Sequence, residues 1–255
     1  MVKEISLINR LGNKETDIKC FNHLLPTNNI KVIVEPFAGS FAVSKYYYKQ
    51  FENGYQYHIN DFDEMMYYIY THIDEYIDFY KEMKALYIQD YSNGLGVDFL
   101  KHIKQMTGVN ENLIRYIIKN KFVRGCLCKF DKQEGFNYNK KEYDMLKTIR
   151  KTNQDYKDIL NEYKDIEEAF LFIDPPYLFS DNSQYIPQNE DSDMTDILVN
   201  ILDYLKTCKC KVMLIINRLK ILDYLFKDYI KGEYTRTYQI SKKQNKHLII
   251  TNYTI

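Results

Sequence analysis

The 255-residue chain has no tryptophan, only five prolines and only nine glycines. So little proline and glycine excludes collagen-like and linker-like classes, and 45% hydrophobic residues leave material for a substantial core. No apolar run approaches the roughly 18 residues of a membrane span. The opening MVKEISLINR lacks both the apolar centre and the small-residue site of a signal peptide, so a soluble, cytoplasmic protein is expected. Five cysteines are an odd count in a chain too large to need stapling, which favours reduced thiols. Cys126/Cys128 and Cys208/Cys210 form C-x-C pairs without a second ligand pair or a nearby histidine. Period-2 packing on strands is favoured there, and no metal is expected.

Net charge is also missing, since 35 Lys+Arg balance 35 Asp+Glu. By itself that argues against a partner as acidic as nucleic acid. The blocks differ, however: +2 over residues 1–60, −7 over 61–98, +1 over 99–112, +7 over 113–151, −11 over 152–203 and +8 over 204–255. Two basic segments are hidden inside a neutral sum.

Val32–Val34 reads as a strand that ends in Glu35-Pro36-Phe37-Ala38-Gly39-Ser40, with a helix over Ala42–Phe51. A second strand is expected at Tyr55–Asn60, with Asp61 at its C-terminal end and a helix to about Thr71. Residues 74–120 look mostly helical, with a loop near 93–96. The alternation over Phe122–Phe136 around Asp131-Lys132-Gln133-Glu134-Gly135 suggests a β-hairpin with a polar tip. Further strands are expected at Ala169–Ile173, Lys211–Asn217, Tyr234–Ile240 and His247–Tyr253, with helices over Asp193–Cys208 and Leu219–Phe226. Alternating strands and helices indicate an α/β fold with a mostly parallel sheet, and the last two strands must form an antiparallel C-terminal hairpin. The different texture of residues 62–151 marks them as an inserted domain within a core of 1–61 and 152–255.

Two constellations carry chemistry. A glycine turn after a strand lets a cofactor approach the backbone at the carboxyl edge of a sheet. A carboxylate at the end of the next strand can accept from both hydroxyls of a ribose, and Asp61 lies 22 residues past Gly39. An ordinary strand-to-helix turn with an N-capping Asp remains open for these two features alone. Asp174-Pro175-Pro176-Tyr177 is more specific. Two prolines after a buried strand remove backbone donors and leave an extended, rigid turn. The Asp carboxylate and the Pro175 carbonyl can then accept the protons of an exocyclic amine while the tyrosine stacks on its base.

EPFAGS, NDFD and DPPY, in this order, resemble the cofactor, ribose and catalytic motifs of the Dam-type adenine-N6 DNA methyltransferases. Gly12-Asn13-Lys14 is similar to that family's N-terminal G-G-K segment, and Phe122–Asn137 to its recognition hairpin. Gln154-Asp155-Tyr156 falls where the family has an acidic-x-aromatic element. Phe41 departs from the family by standing where many relatives carry a second glycine, and Lys129 and Asp131 replace its usual hairpin arginine and asparagine.

The resemblance implies a Rossmann-like methyltransferase sheet with an inserted helical target-recognition domain carrying a β-hairpin. It also implies S-adenosylmethionine as cofactor, held by Glu35, Pro36, Phe37, Ala38, Gly39 and Ser40, with Asp61 on the ribose, Asp155 and Tyr156 by the adenine and Lys14 near the methionine end. Asp174, also beside the cofactor, would act with Pro175, Pro176 and Tyr177 on an adenine rotated out of duplex DNA. No covalent enzyme intermediate is required.

Arg124, Lys129, Asp131, Lys132, Asn137, Lys242 and Lys243 become the candidate DNA contacts, with Lys246 in the same final turn. Phe122, Phe130 and Phe136 are candidates for a wedge beside the opened pair. A solvated helix face remains open for Lys140, Lys141, Lys147, Arg150 and Lys151. GATC is the family's common target, and a cognate restriction nuclease is a candidate partner. The alternatives are a DNA-binding relative that no longer methylates, or the same chemistry on RNA or on cytosine N4.

Overall fold

Five apolar residues in succession, Ala169–Ile173, have no polar face to give to water, and all five are buried in a central strand. A computed structural model describes residues 6–8, 14–91, 96–123, 127–128, 130, 136–176, 194–237 and 244–254. In chain order the elements are β1 (Val32–Glu35), α1 (Ala42–Phe51), β2 (Gln56–Asn60), α2 (Glu64–Thr71), α3 (Ile73–Leu86), α4 (Gly96–Lys104), α5 (Glu111–Lys121), β3 (Phe122–Val123), β4 (Leu127–Cys128) and α6 (Lys140–Thr148). There follow β5 (Arg150–Thr152), α7 (Tyr156–Tyr163), β6 (Ala169–Ile173), α8 (Met194–Thr207), β7 (Lys211–Asn217), α9 (Lys220–Leu225), β8 (Ile230–Thr237) and β9 (Gln244–Thr251).

The chain divides into two compact units. The larger comprises Lys14–Asp61 and Gln154–Ile255. Its strands belong to a seven-stranded sheet, and the six within this unit run in the order β2-β1-β6-β7-β9-β8. β2, β1, β6 and β7 are parallel, and β9 and β8 close the sheet antiparallel. Alternation along the strands sorts side chains to two faces. Leu171, Ile173, Val212, Leu214, Leu248 and Ile250 pack with Ile159 of α7 and Ile197 and Ile201 of α8. On the other face Phe170 meets Tyr47 of α1 at 6.0 Å between ring centroids, and Phe21 stacks on Phe172 at 5.7 Å. Fully burying each such Leu, Ile or Phe contributes about 1.5–3 kcal/mol.

The closing strands begin four and three residues earlier than the sequence pattern suggested. Gln244–Lys246 pair with Thr235–Thr237 although their side chains are polar, because backbone pairing continues past the buried stretch His247–Thr251. Lys246 is therefore a strand residue rather than a turn residue, and its Nζ binds Glu233 at 2.7 Å. Cys208 and Cys210 precede β7 instead of lying on a strand. Cys210 is buried against the Tyr204 hydroxyl at 3.1 Å, while Asn252 Nδ2 donates to Cys208 Sγ at 3.3 Å. The sequence pattern also missed α6, β5 and α7, although two of them carry readable starts. Asn139 Oδ1 accepts from Glu142 N at 2.9 Å to open α6, and Asp155 Oδ1 accepts from Lys157 N at 2.8 Å to open α7.

The smaller unit comprises Met1–Asn13 and Phe62–Asn153. Its helices pack through tyrosine and phenylalanine: Tyr76 of α3 meets Tyr116 of α5 edge-on at 5.1 Å, and Phe130 packs against Tyr80, Tyr87 and Phe99. Lys121 donates to the Tyr80 hydroxyl at 2.8 Å and lies over the Tyr80 and Phe130 rings at 4.6 and 5.2 Å. β3 and β4 form a short antiparallel pair. The Glu142 carboxylate accepts from Ser6 Oγ, Leu7 N and Ile8 N at 3.0, 2.9 and 3.0 Å. That clamp is why the first residues group with 62–153, whereas sequence pattern had placed them with the core. Among the described residues, no helix is long and apolar enough to cross a membrane.

Candidate active site

β1 sits where the sheet reverses its direction of winding: the chain leaves it for β2 on one side, and β6 lies on the other. At such a switch point the loops after neighbouring parallel strands diverge and leave a crevice. The register pairs Val34 with Leu171 and with His58. The segments after Glu35, Asn60 and Ile173 consequently emerge at one edge.

The turn after β1 is held by backbone geometry. Gly39 has φ +51°, and its N–H donates to Asp61 Oδ2 at 2.9 Å, while Ala38 N donates to Asn60 O at 2.8 Å. Asn60, fully buried, uses both ends of its amide. Nδ2 donates to Pro36 O and Gln154 O at 2.9 and 3.0 Å, and Oδ1 accepts from Gln154 N at 2.9 Å. It thereby links the turn to the entry of α7. Phe41, at φ 41° and ψ 49°, takes the left-handed backbone that a glycine adopts without cost. Its ring is fully buried, with the Lys45 ammonium 4.9 Å from its centroid.

Phe41 has no side-chain acceptor with which to cap α1, and Glu35 does so instead. Its Oε1 accepts from Ser44 N at 2.6 Å. Burial pushes the Glu35 carboxyl from its ordinary 4.5 up to about 7, against the opposing pull of the Ser44 hydrogen bonds and the Lys45 charge; the nearby Asp174 adds to the rise.

Asp174 leaves the end of β6, followed by buried Pro175 and half-buried Pro176. Both its oxygens accept from the buried ammonium of Lys14, at 2.7 and 2.6 Å. Phe37 stacks on Tyr156 with 5.1 Å between centroids, and the Tyr156 hydroxyl accepts from Asn200 Nδ2 at 3.1 Å. Asp155, expected beside a cofactor, spends one carboxylate oxygen capping α7. The larger unit thus brings together Lys14, Glu35–Ser40, Asp61, Tyr156 and Asp174. Tyr177 lies outside the described residues.

Of the candidate nucleic-acid contacts, Arg124, Lys129, Asp131, Lys132, Lys242 and Lys243 also lie outside them, and Asn137 is exposed. Phe130 is corrected from wedge to core, since it is 6% exposed and enclosed by aromatic rings. Several basic residues of 113–151 serve intramolecular contacts: Lys119 pairs with Asp63 at 3.5 Å, Lys147 pairs with Asp74, and Lys151 donates to Leu146 O.

Residues 11–246 match the model of the D12 class N6 adenine-specific DNA methyltransferase family. The chain belongs to that family. It is accordingly an S-adenosylmethionine-dependent enzyme that methylates adenine N6 in DNA. No curated protein matches the methyltransferase in sequence. Among solved structures, the N-terminal domain of human METTL16 in complex with SAH is similar at 10% identity and a TM-score of 0.41, over 100% of this chain and 73% of that one.

The residues at the edge suit the methyltransferase cofactor. A positive-φ glycine keeps the backbone open, a carboxylate ends the adjacent strand, and a buried acid and an aromatic pair flank the turn. Sequence reasoning missed three parts of this site: the Asn60 bridge, the Glu35 cap and the Lys14–Asp174 pair. Asn60 is the first residue of the NDFD motif, so its position carries a signal. The other two have no local signal, because their partners are 9 and 160 residues away.

Proposed function

We propose that this methyltransferase acts on an adenine rotated out of duplex DNA, and that the groups at the ends of β1, β2 and β6 divide the work. The Glu35–Ser40 turn, Asp61 and the Phe37–Tyr156 pair would hold S-adenosylmethionine, whose sulfonium supplies the methyl group. Asp174 and the Pro175 carbonyl would accept hydrogen bonds from the two N6 protons, which aims the nitrogen lone pair along the transfer axis, and the carboxylate would take the proton that N6 sheds once methylated. Pro175 and Pro176 have no N–H to compete for those acceptors. Tyr177 would stack on the extruded base, a contact worth about 1–3 kcal/mol in single-strand binders. The residues of 62–151, with Asn137 and the basic hairpin, would contact the duplex, and GATC is the candidate site.

The observation that carries this reading is the departure of the Gly39 turn and the Asp174 corner from adjacent parallel strands at one edge. Labelled S-adenosylmethionine and unmodified duplex DNA provide the test, followed by sequencing of the methylated bases. Label on adenine N6 in one short sequence is expected. DNA binding without transfer, or label on RNA or cytosine N4, would refute it.

A further inference from the structure

The resemblance places Lys14 beside the methionine end of the cofactor, yet in the structure its ammonium is committed to both oxygens of Asp174. What holds Lys14 there is also visible. Its carbonyl accepts from Asp17 N and Ile18 N at 2.9 and 3.0 Å, closing a tight turn. The Asp17 carboxylate is buried and bound to β8: Oδ2 accepts from Arg236 Nη1 at 3.0 Å and from the Tyr234 hydroxyl at 3.3 Å. Phe21, four residues on, stacks on Phe172 of β6 and meets Tyr234 of β8 at 6.0 Å. The segment 14–21 is thus fixed at Asp17 to β8 by charge and at Phe21 to β6 by aromatic packing.

We propose that Lys14 is a positioning residue for the Asp174 carboxylate, and that Asp17, anchored by Arg236 and Tyr234, is the strut that sets where the Lys14 ammonium sits. The physical need for it is local. Asp174 follows β6, which pairs with the strand β1 that ends in the buried Glu35, and its charge is felt at Glu35 and at Tyr234. His247 stacks on Tyr234 at 5.1 Å and feels the charges of Lys14 and Arg236. Without the Lys14 ammonium, the Asp174 carboxylate loses the cation that both its oxygens bind and would rotate out of line with an incoming amine.

The inference rests on the transfer reading above, and the experiment separates the two. Full-length wild type, Lys14→Met, Lys14→Arg and Asp17→Asn are compared by calorimetric titration with S-adenosylmethionine alone and by single-turnover methylation of duplex DNA at saturating cofactor. Lys14→Met is expected to slow transfer by about 100-fold, the cost of a misplaced reacting group, with cofactor affinity within about threefold of wild type. Lys14→Arg restores most of the rate because it keeps a cation at the carboxylate. Asp17→Asn slows transfer by about tenfold, again without loss of cofactor affinity, and it carries the test if Lys14→Met fails to fold.

A Lys14→Met protein that loses cofactor affinity and recovers full rate when cofactor is raised makes Lys14 a cofactor ligand and overturns the inference. An unchanged rate overturns it too. A wild-type protein that binds cofactor but transfers nothing overturns the transfer reading, and this inference with it.

Discussion

Asp61 Oδ2 receives the Gly39 N–H at 2.9 Å, so the carboxylate expected to face a ribose also fixes the turn on which the cofactor would lie. The two functions separate by substitution. Asp61→Asn keeps an oxygen for Gly39 but loses the charge, and is expected to weaken S-adenosylmethionine binding by about tenfold or more with little change in melting temperature. Asp61→Ala loses both and should also destabilise the fold by about 1–3 kcal/mol. Equilibrium titration and thermal melts on the two variants check this, and equal melting temperatures for them would contradict it.

Phe41 combines a fully buried ring with a left-handed backbone. Deleting the ring costs about 3–5 kcal/mol in either small variant. Alanine still bears the left-handed penalty of about 1–2 kcal/mol, and glycine does not. Phe41→Gly should therefore melt above Phe41→Ala, the reverse of the order found inside regular helices and strands. The opposite order in denaturant titration would show that the turn relaxes out of the left-handed region.

Two buried groups make opposing contributions to stability against pH. Glu35 is raised from 4.5 to about 7, so the folded state holds a proton the unfolded state has lost; that stabilisation is complete below 4.5 and is lost as pH rises through 7. His247 is depressed from 6.5 to about 3, by burial first and then by the charges of Lys14 and Arg236. The unfolded state protonates it first, so its contribution is complete above 6.5 and is lost as pH falls toward 3. Between 4.5 and 6.5 the two slopes, each about 1.4 kcal/mol per pH unit, cancel. Stability measured by urea melts should be nearly flat across that window in the wild type. Glu35→Gln should then lose stability as pH falls from 6.5 to 4.5, and His247→Phe should gain it. A flat profile in both variants would refute the pairing.

Asp174→Asn keeps the shape of the corner and removes the negative acceptor. Methyl transfer is expected to drop by at least about 100-fold while cofactor binding stays within a fewfold of wild type, because the lost interaction belongs to the reacting amine. Retained turnover together with lost cofactor affinity in the titration would reverse the assignment of Asp174.

Glu142 fastens residues 6–8 to α6 through the amides of Leu7 and Ile8. Glu142→Ala leaves two buried N–H groups without their acceptor, a cost of about 1–3 kcal/mol each. Amide exchange at Leu7 and Ile8 should accelerate well beyond that of α8 residues such as Ile201, which lie in the other unit. Uniform acceleration across both units would mean that the clamp supports global rather than local stability.

The order of strands and helices, the glycine turn, the carboxylate after β2 and the double-proline corner could all be read from the sequence, because each depends on neighbours a few residues away: an apolar run, a backbone that needs glycine, a missing donor. The bounds of α1, β6 and β7 follow from the same local rules. What the sequence could not show was which distant charges meet. Lys14 and Asp174 are 160 residues apart, Asp17 and Arg236 are 219, and Phe130 and Phe136 looked free to face DNA although both pack against Tyr80. Periodicity carries no record of such pairings. Only the folding of the sheet and the packing of the smaller unit bring those groups together, and burial then fixes which carboxyl holds its proton and which keeps its cation.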